Sequence, residues 1–191
     1  MLKKALFILT TVILSSCMSM LDTSASKFGL PQKDKTYSVE NTRMPSSKFL
    51  PPFWAFVNFE GNAYLKEQED IIAKTELREP DYSLIPKGGY VRIRLNSRSP
   101  HDFEASRGEN CTYIIIDGVG EELYRDIGST DAEPGYTDTG RYGDIGRYGP
   151  RFYADDSVYL DENTTFPVRV RVISQLFPED FYEYQIIKTA Q

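Results

Sequence analysis

The sequence predicts an all-β protein, an antiparallel β-sandwich, with an open β-barrel as the alternative. Two observations carry this expectation. Short β-branched and aromatic runs recur between Gly, Pro, Asn and Asp, with no long amphipathic helical pattern among them. Two of the runs, Val91-Arg92-Ile93-Arg94-Leu95 and Val168-Arg169-Val170-Arg171-Val172, alternate strictly, so aliphatic side chains line one face and arginines the other. One buried and one wet face belong to a layer of an antiparallel sandwich. A parallel α/β sheet, covered on both faces, would read as apolar throughout.

Taken in order, strands are expected at 36–40, 53–59, 63–66, 72–78, 90–96, 112–117, 121–125, 157–160, 166–173 and 182–188. The stretch 72–78 competes with a short helix over 66–77. Phe59-Glu60-Gly61-Asn62-Ala63 and Asp117-Gly118-Val119-Gly120-Glu121 supply the glycines that tight hairpins use for positive φ, so each predicts a hairpin. The approach to the fifth strand, Leu84-Ile85-Pro86-Lys87-Gly88-Gly89-Tyr90, is a Pro-Gly turn. It resembles the turns of exported sandwich domains of immunoglobulin-like or transthyretin-like type, a resemblance too generic to specify a family.

The N-terminus has a different organisation. Lys3 and Lys4 precede the apolar stretch 5–14, which is interrupted only by Thr10 and Thr11, the layout of a secretory signal peptide. A stretch of ten residues is too short for a permanent span, which needs about 20. The stretch ends in Leu14-Ser15-Ser16-Cys17, which resembles the lipobox of bacterial lipoproteins: an aliphatic residue, two small residues, then cysteine. That resemblance covers residues 1–17 and implies a diacylglycerol thioether on the Cys17 sulfur, cleavage after Ser16 and acylation of the new amine, palmitate being typical. A single acyl chain binds a bilayer reversibly, whereas two or three anchor it stably. Met18 stands where an aspartate would signal inner-membrane retention, so the resemblance favours the outer membrane.

The organisation expected is therefore a signal peptide at 1–16, a lipidated cysteine and flexible tether at 17–35, and one β-sandwich domain at 36–191. Cleavage after Ser16 leaves 20 cations against 28 carboxylates, a net charge of −8. Such an acidic chain is not expected to bind nucleic acid, because phosphate neutralisation requires clustered Lys and Arg. With Cys17 lipidated, Cys111 is the only thiol and no internal disulfide can form. Its apolar neighbourhood predicts a buried structural group. His101 lies in the turn-like Ser99-Pro100-His101-Asp102 and reads as a solvated loop residue.

Two constellations are candidates for binding. Arg92, Arg94, Arg169 and Arg171 would form one basic patch if their strands shared a sheet, able to grip phosphates or carboxylates bidentately; otherwise they pair with acids on neighbouring strands. The segment 135–150 holds Gly-Arg-Tyr-Gly twice, and Tyr136, Arg141, Tyr142, Arg147 and Tyr148 could contact a sugar or peptide. Acids at Asp126, Asp131, Glu133, Asp138, Asp144, Asp155, Asp156, Asp161 and Glu162 are of the type that ligates calcium, without EF-hand spacing, so no cofactor beyond the covalent lipid is expected. No Ser-His-Asp order, Gly-x-Ser-x-Gly elbow or paired zinc histidines is present. The expectation is a non-catalytic binding or assembly module, membrane-held through its lipid, with an envelope protein or glycan as partner. The alternatives are a purely structural surface lipoprotein and a glycan-acting enzyme that pairs two of the many carboxylates.

Overall fold

A computed structural model describes residues 32–45, 53–97, 108–128, 135–137 and 151–189. Nine strands form two antiparallel sheets. They are β1 (Tyr37–Arg43), β2 (Phe53–Glu60), β3 (Tyr90–Ser97), β4 (Cys111–Ile116), β5 (Glu122–Ile127), β6 (Gly135–Thr137), β7 (Arg151–Tyr159), β8 (Val168–Ser174) and β9 (Phe177–Lys188). The first sheet has the order β1-β9-β8-β4-β5 and the second β2-β3-β7-β6. Neither closes into a barrel, so the fold is the β-sandwich.

Alternation builds the core as the sequence implies. Val91, Ile93 and Leu95 of β3 and Val168, Val170 and Val172 of β8 are all fully buried and belong to one cluster with Phe59, Ile115 and Ile186. The same cluster takes in Tyr113, Tyr182 and Tyr184, whose bulk fills the gap between layers. Tyr184 OH donates to the Ala55 carbonyl across the two sheets, so its polar end is satisfied inside.

One part of the expected strand pattern is corrected. Residues 63–66 and 72–78 are not strands, and Phe59 to Ala63 is not a hairpin: a helix, α1 (Asn62–Glu76), separates β2 from β3. Its apolar and amide positions, Tyr64, Leu65, Gln68, Ile71 and Ile72, follow helical spacing among strong helix formers. Gly61 caps it in extended conformation, with φ −77° and ψ 160°, so no positive φ is called on there. A Cβ at Gly61 would lie 2.8 Å from the Tyr37 ring, which is the reason for glycine. The helix ends at Leu77, in the left-handed region at φ 55°, with Arg78 N–H bonded to the Ala73 carbonyl at 2.9 Å.

The hairpin after β4 forms as expected, with Asp117 N–H bonded to Glu121 O at 2.9 Å and Gly120 at φ 92°. The Pro86 turn also forms, Gly89 N–H reaching Pro86 O at 3.2 Å with Gly89 at φ 87°. The domain starts earlier than the change in composition at residue 36 suggests. The Gln32 side chain accepts from Phe59 N–H at 3.0 Å and donates to Phe59 O at 2.8 Å, acting as a one-residue strand partner for the edge of β2. Asp34, 2% exposed, accepts from Thr36 N–H and Gly61 N–H, both at 2.9 Å.

Asp117 ties the β4–β5 hairpin to the loop before β8. Its carboxylate accepts the Thr165 hydroxyl and the N–H groups of Val119 and Glu121, at 3.0 and 2.8 Å for the last two. The Thr165 hydrogen bond, followed by these backbone donors, holds the carboxyl below the usual carboxylate range. A depressed folded-state pKa contributes stability above the unfolded value of about 3.9, and that stability is lost as pH falls through the folded one. Melting temperature recorded from pH 7 to pH 2 should therefore fall less steeply below pH 4 in Asp117→Asn than in the unaltered protein. Parallel curves would refute this role.

Candidate functional site

The four arginines singled out in the sequence do not come together. Arg92 and Arg94 are on β3 and Arg169 and Arg171 on β8, in different sheets, and each pair faces away from the core that its alternating neighbours fill. The single basic patch therefore does not form. Each outer face instead carries cross-strand pairs. Arg94 makes a bidentate contact with Asp155 at 2.6 and 2.5 Å, facing it directly in the β3–β7 register. Arg92 approaches Glu60 at 3.5 Å, and Tyr90 OH donates to the other oxygen of the same carboxylate at 2.6 Å. Burial, then the Glu60 hydrogen bond, pushes the Tyr90 hydroxyl up to about 12, so it stays protonated as a donor. Arg171 pairs with Glu183 and lies 5.4 Å from the Phe181 ring centroid, and Arg43 lies 3.7 Å from the same centroid. Arg169 faces Gln185 and Ile116 in register.

Of the tyrosine and arginine loop, Tyr136 lies in β6 opposite Phe152. Arg141, Tyr142, Arg147 and Tyr148 fall outside the described residues, as do Cys17 and His101. Among the acids, Asp126 is on the edge strand β5, Asp155 is taken by Arg94, and Asp161 and Glu162 sit in the loop after β7. Asp131, Glu133, Asp138 and Asp144 lie outside the described residues. No group of three or more metal-ligating side chains converges among the described residues. Cys111 is fully buried; desolvation, then the nearby Asp156 carboxylate, pushes its thiol up to about 12, which leaves it unreactive at neutral pH.

What the fold does build is a cavity of about 680 Å³ at one end of the sandwich, inside the range of about 300–1,000 Å³ usual for ligand sites. Five chain segments meet there: the approach to β1, the β2–α1 junction, the Pro86 turn, the loop after β7 and the end of β9. Backbone hydrogen bonds lock them together. Gly88 N–H bonds Leu160 O at 3.2 Å and Leu160 N–H bonds Gly89 O at 3.0 Å, while Thr189 N–H bonds Thr36 O at 2.8 Å. Asn62 Nδ2 donates to Pro86 O at 2.9 Å, fixing the helix start to the turn. Tyr37 and Phe166 line the cavity, their centroids 5.0 Å apart, and both pack on Phe59.

Charges of both signs surround the cavity. Lys87 and Glu162 approach at 3.7 Å, with Asp161 beside them and Lys188 on the end of β9. The fifth charged lining residue, Asp34, is buried with its oxygens on Thr36 and Gly61, where it also meets the positive end of α1. Sequence reasoning noticed Asp161 and Glu162 only as potential calcium ligands, and Lys87 only as part of a turn. Nothing local marks the others, because the cavity joins residues more than 150 positions apart.

Comparison with protein-family models, curated proteins and solved structures returned no match. Fold and cavity together define the class: a two-sheet β-sandwich with a mixed-polarity cavity at the end where its chain enters.

Proposed function

We propose that this protein is a lipid-anchored, non-catalytic binding module of the bacterial cell envelope. The observation that carries the reading is the position of the cavity. Gln32 and Asp34, where the folded unit begins, are bonded at or beside its wall, and only fourteen residues separate the lipobox-like Cys17 from Gln32. As a flexible coil, a segment of that length would have a root-mean-square span of about 20 Å. Lipid on Cys17 would then hold the sandwich within reach of the bilayer, and an outer-membrane address is consistent with Met18. Among the described residues no helix is long and apolar enough to cross a membrane, so in this reading the lipid supplies the attachment.

The test is acylation and fractionation. The full chain, expressed in a bacterial host with labelled palmitate, should carry label and sediment with membranes, whereas Cys17→Ser should carry none and appear in the soluble fraction. Membrane sedimentation of Cys17→Ser that survives high salt would refute the anchor.

A further inference from the structure

We propose that the end cavity binds an electrically neutral saccharide. The inference deepens the binding-module reading and rests on it, but it concerns a site that neither the arginine stripes nor the tyrosine loop includes.

Two properties of the cavity select this ligand chemistry. The first is charge. Asp34 is consumed by two backbone N–H groups and the helix end, which leaves Lys87 and Lys188 balanced by Asp161 and Glu162. An anion would meet the two carboxylates, and a cation the two ammonium groups. A neutral ligand with many hydroxyls meets no like charge and finds acceptors and donors on every side.

The second is the pairing of aromatic and polar walls. The rings of Tyr37 and Phe166 are held by each other and by Phe59, at centroid distances of 4.6 to 5.5 Å. They offer a fixed apolar surface for the C–H face of a pyranose, while Asn62 and Thr189 stand in the same lining. A ring whose faces are apolar and whose rim is hydroxylated matches that division.

Ala63, exposed in the first turn of α1, borders the cavity and permits a test that spares the core. Ala63→Trp places an indole across the cavity without removing any contact of the sandwich, and Ala63→Ser serves as the control. The detergent-purified full chain would be applied to an array of neutral, carboxylated and phosphorylated oligosaccharides and, separately and in the Cys17→Ser background that lacks the acyl chains, to phospholipid vesicles. The expected result is binding of neutral oligosaccharides that Ala63→Trp weakens at least tenfold and Ala63→Ser does not, with melting temperatures equal in all three proteins. Binding confined to the carboxylated or phosphorylated sugars overturns the assignment, as does neutral binding indifferent to Ala63→Trp. Vesicle binding blocked by Ala63→Trp, without any sugar bound, overturns the saccharide and leaves the binding module standing. If neither arm yields a ligand sensitive to Ala63→Trp, both readings fall.

Discussion

Replacing Ile93 by Ala is expected to lower the unfolding free energy by about 2–5 kcal/mol. Ile93 is fully buried at the centre of β3, flanked along the strand by the equally buried Val91 and Leu95. Its strand is hydrogen-bonded on both sides, to β2 and β7, so the backbone cannot collapse into the space vacated by three carbon atoms. The lost transfer energy and the residual cavity therefore add. Urea titration should show a lower midpoint with an unchanged slope. Val119→Ala, at a hairpin tip and 76% exposed, is the control and should shift stability by no more than about 0.5 kcal/mol. Equal effects at the two positions would contradict the packing described.

Asp34→Ala is expected to destabilise by at least about 1–3 kcal/mol, because it removes a carboxylate only 2% exposed and leaves the buried N–H of Gly61 and the half-buried N–H of Thr36 without their acceptor. The carboxylate joins the chain entry to the start of α1, so its loss affects two elements together. Asp34→Asn should recover part of the loss, since one amide oxygen can accept from one donor while its NH₂ confronts the other. The urea midpoints should therefore rank unaltered protein, Asp34→Asn, Asp34→Ala. An Asp34→Ala midpoint equal to that of the unaltered chain would remove Asp34 from the architecture of the cavity. Because the cavity is where binding is proposed, the same variant should also bind more weakly, but Ala63→Trp is the cleaner probe, since it leaves the buried carboxylate in place.

The strands with one dry face were the most legible in the sequence. β3 and β8 announce themselves because a period of two, arginine against aliphatic, can be satisfied only by a half-buried strand. β9 begins at Phe177, earlier than expected, because Pro178 suppresses the strand signal although this position tolerates it. β6 is three residues long and lies inside a glycine-rich run, too short to display any period. The helix was read only as a competitor of the strand 72–78, over 66–77, for a different reason. Its stripe from Tyr64 to Ile72 is interrupted by charge, and Ile71 and Ile72 remain 54% and 45% exposed, so it lacks the strong apolar face that identifies a buried helix. Gly61-Asn62, which resembles a hairpin turn, is instead a helix start whose glycine answers to the Tyr37 ring.

By itself the sequence determined the layered all-β class, the faces of its regular strands, the hairpin at Asp117 and the buried state of Cys111, because each depends on a local period or a local turn requirement. It also contains the lipobox-like motif ending in Cys17, on which the proposed anchor rests. Tertiary structure alone decided that β3 and β8 belong to different sheets, which parts the arginines, and that Asp34, Asn62, Lys87, Glu162 and Lys188 surround one cavity. Alternation tells a residue which face it occupies but not which strand will lie beside it. Strand partners are chosen by packing and hydrogen bonding between distant segments, and a site assembled from five such segments exists only once those choices are made.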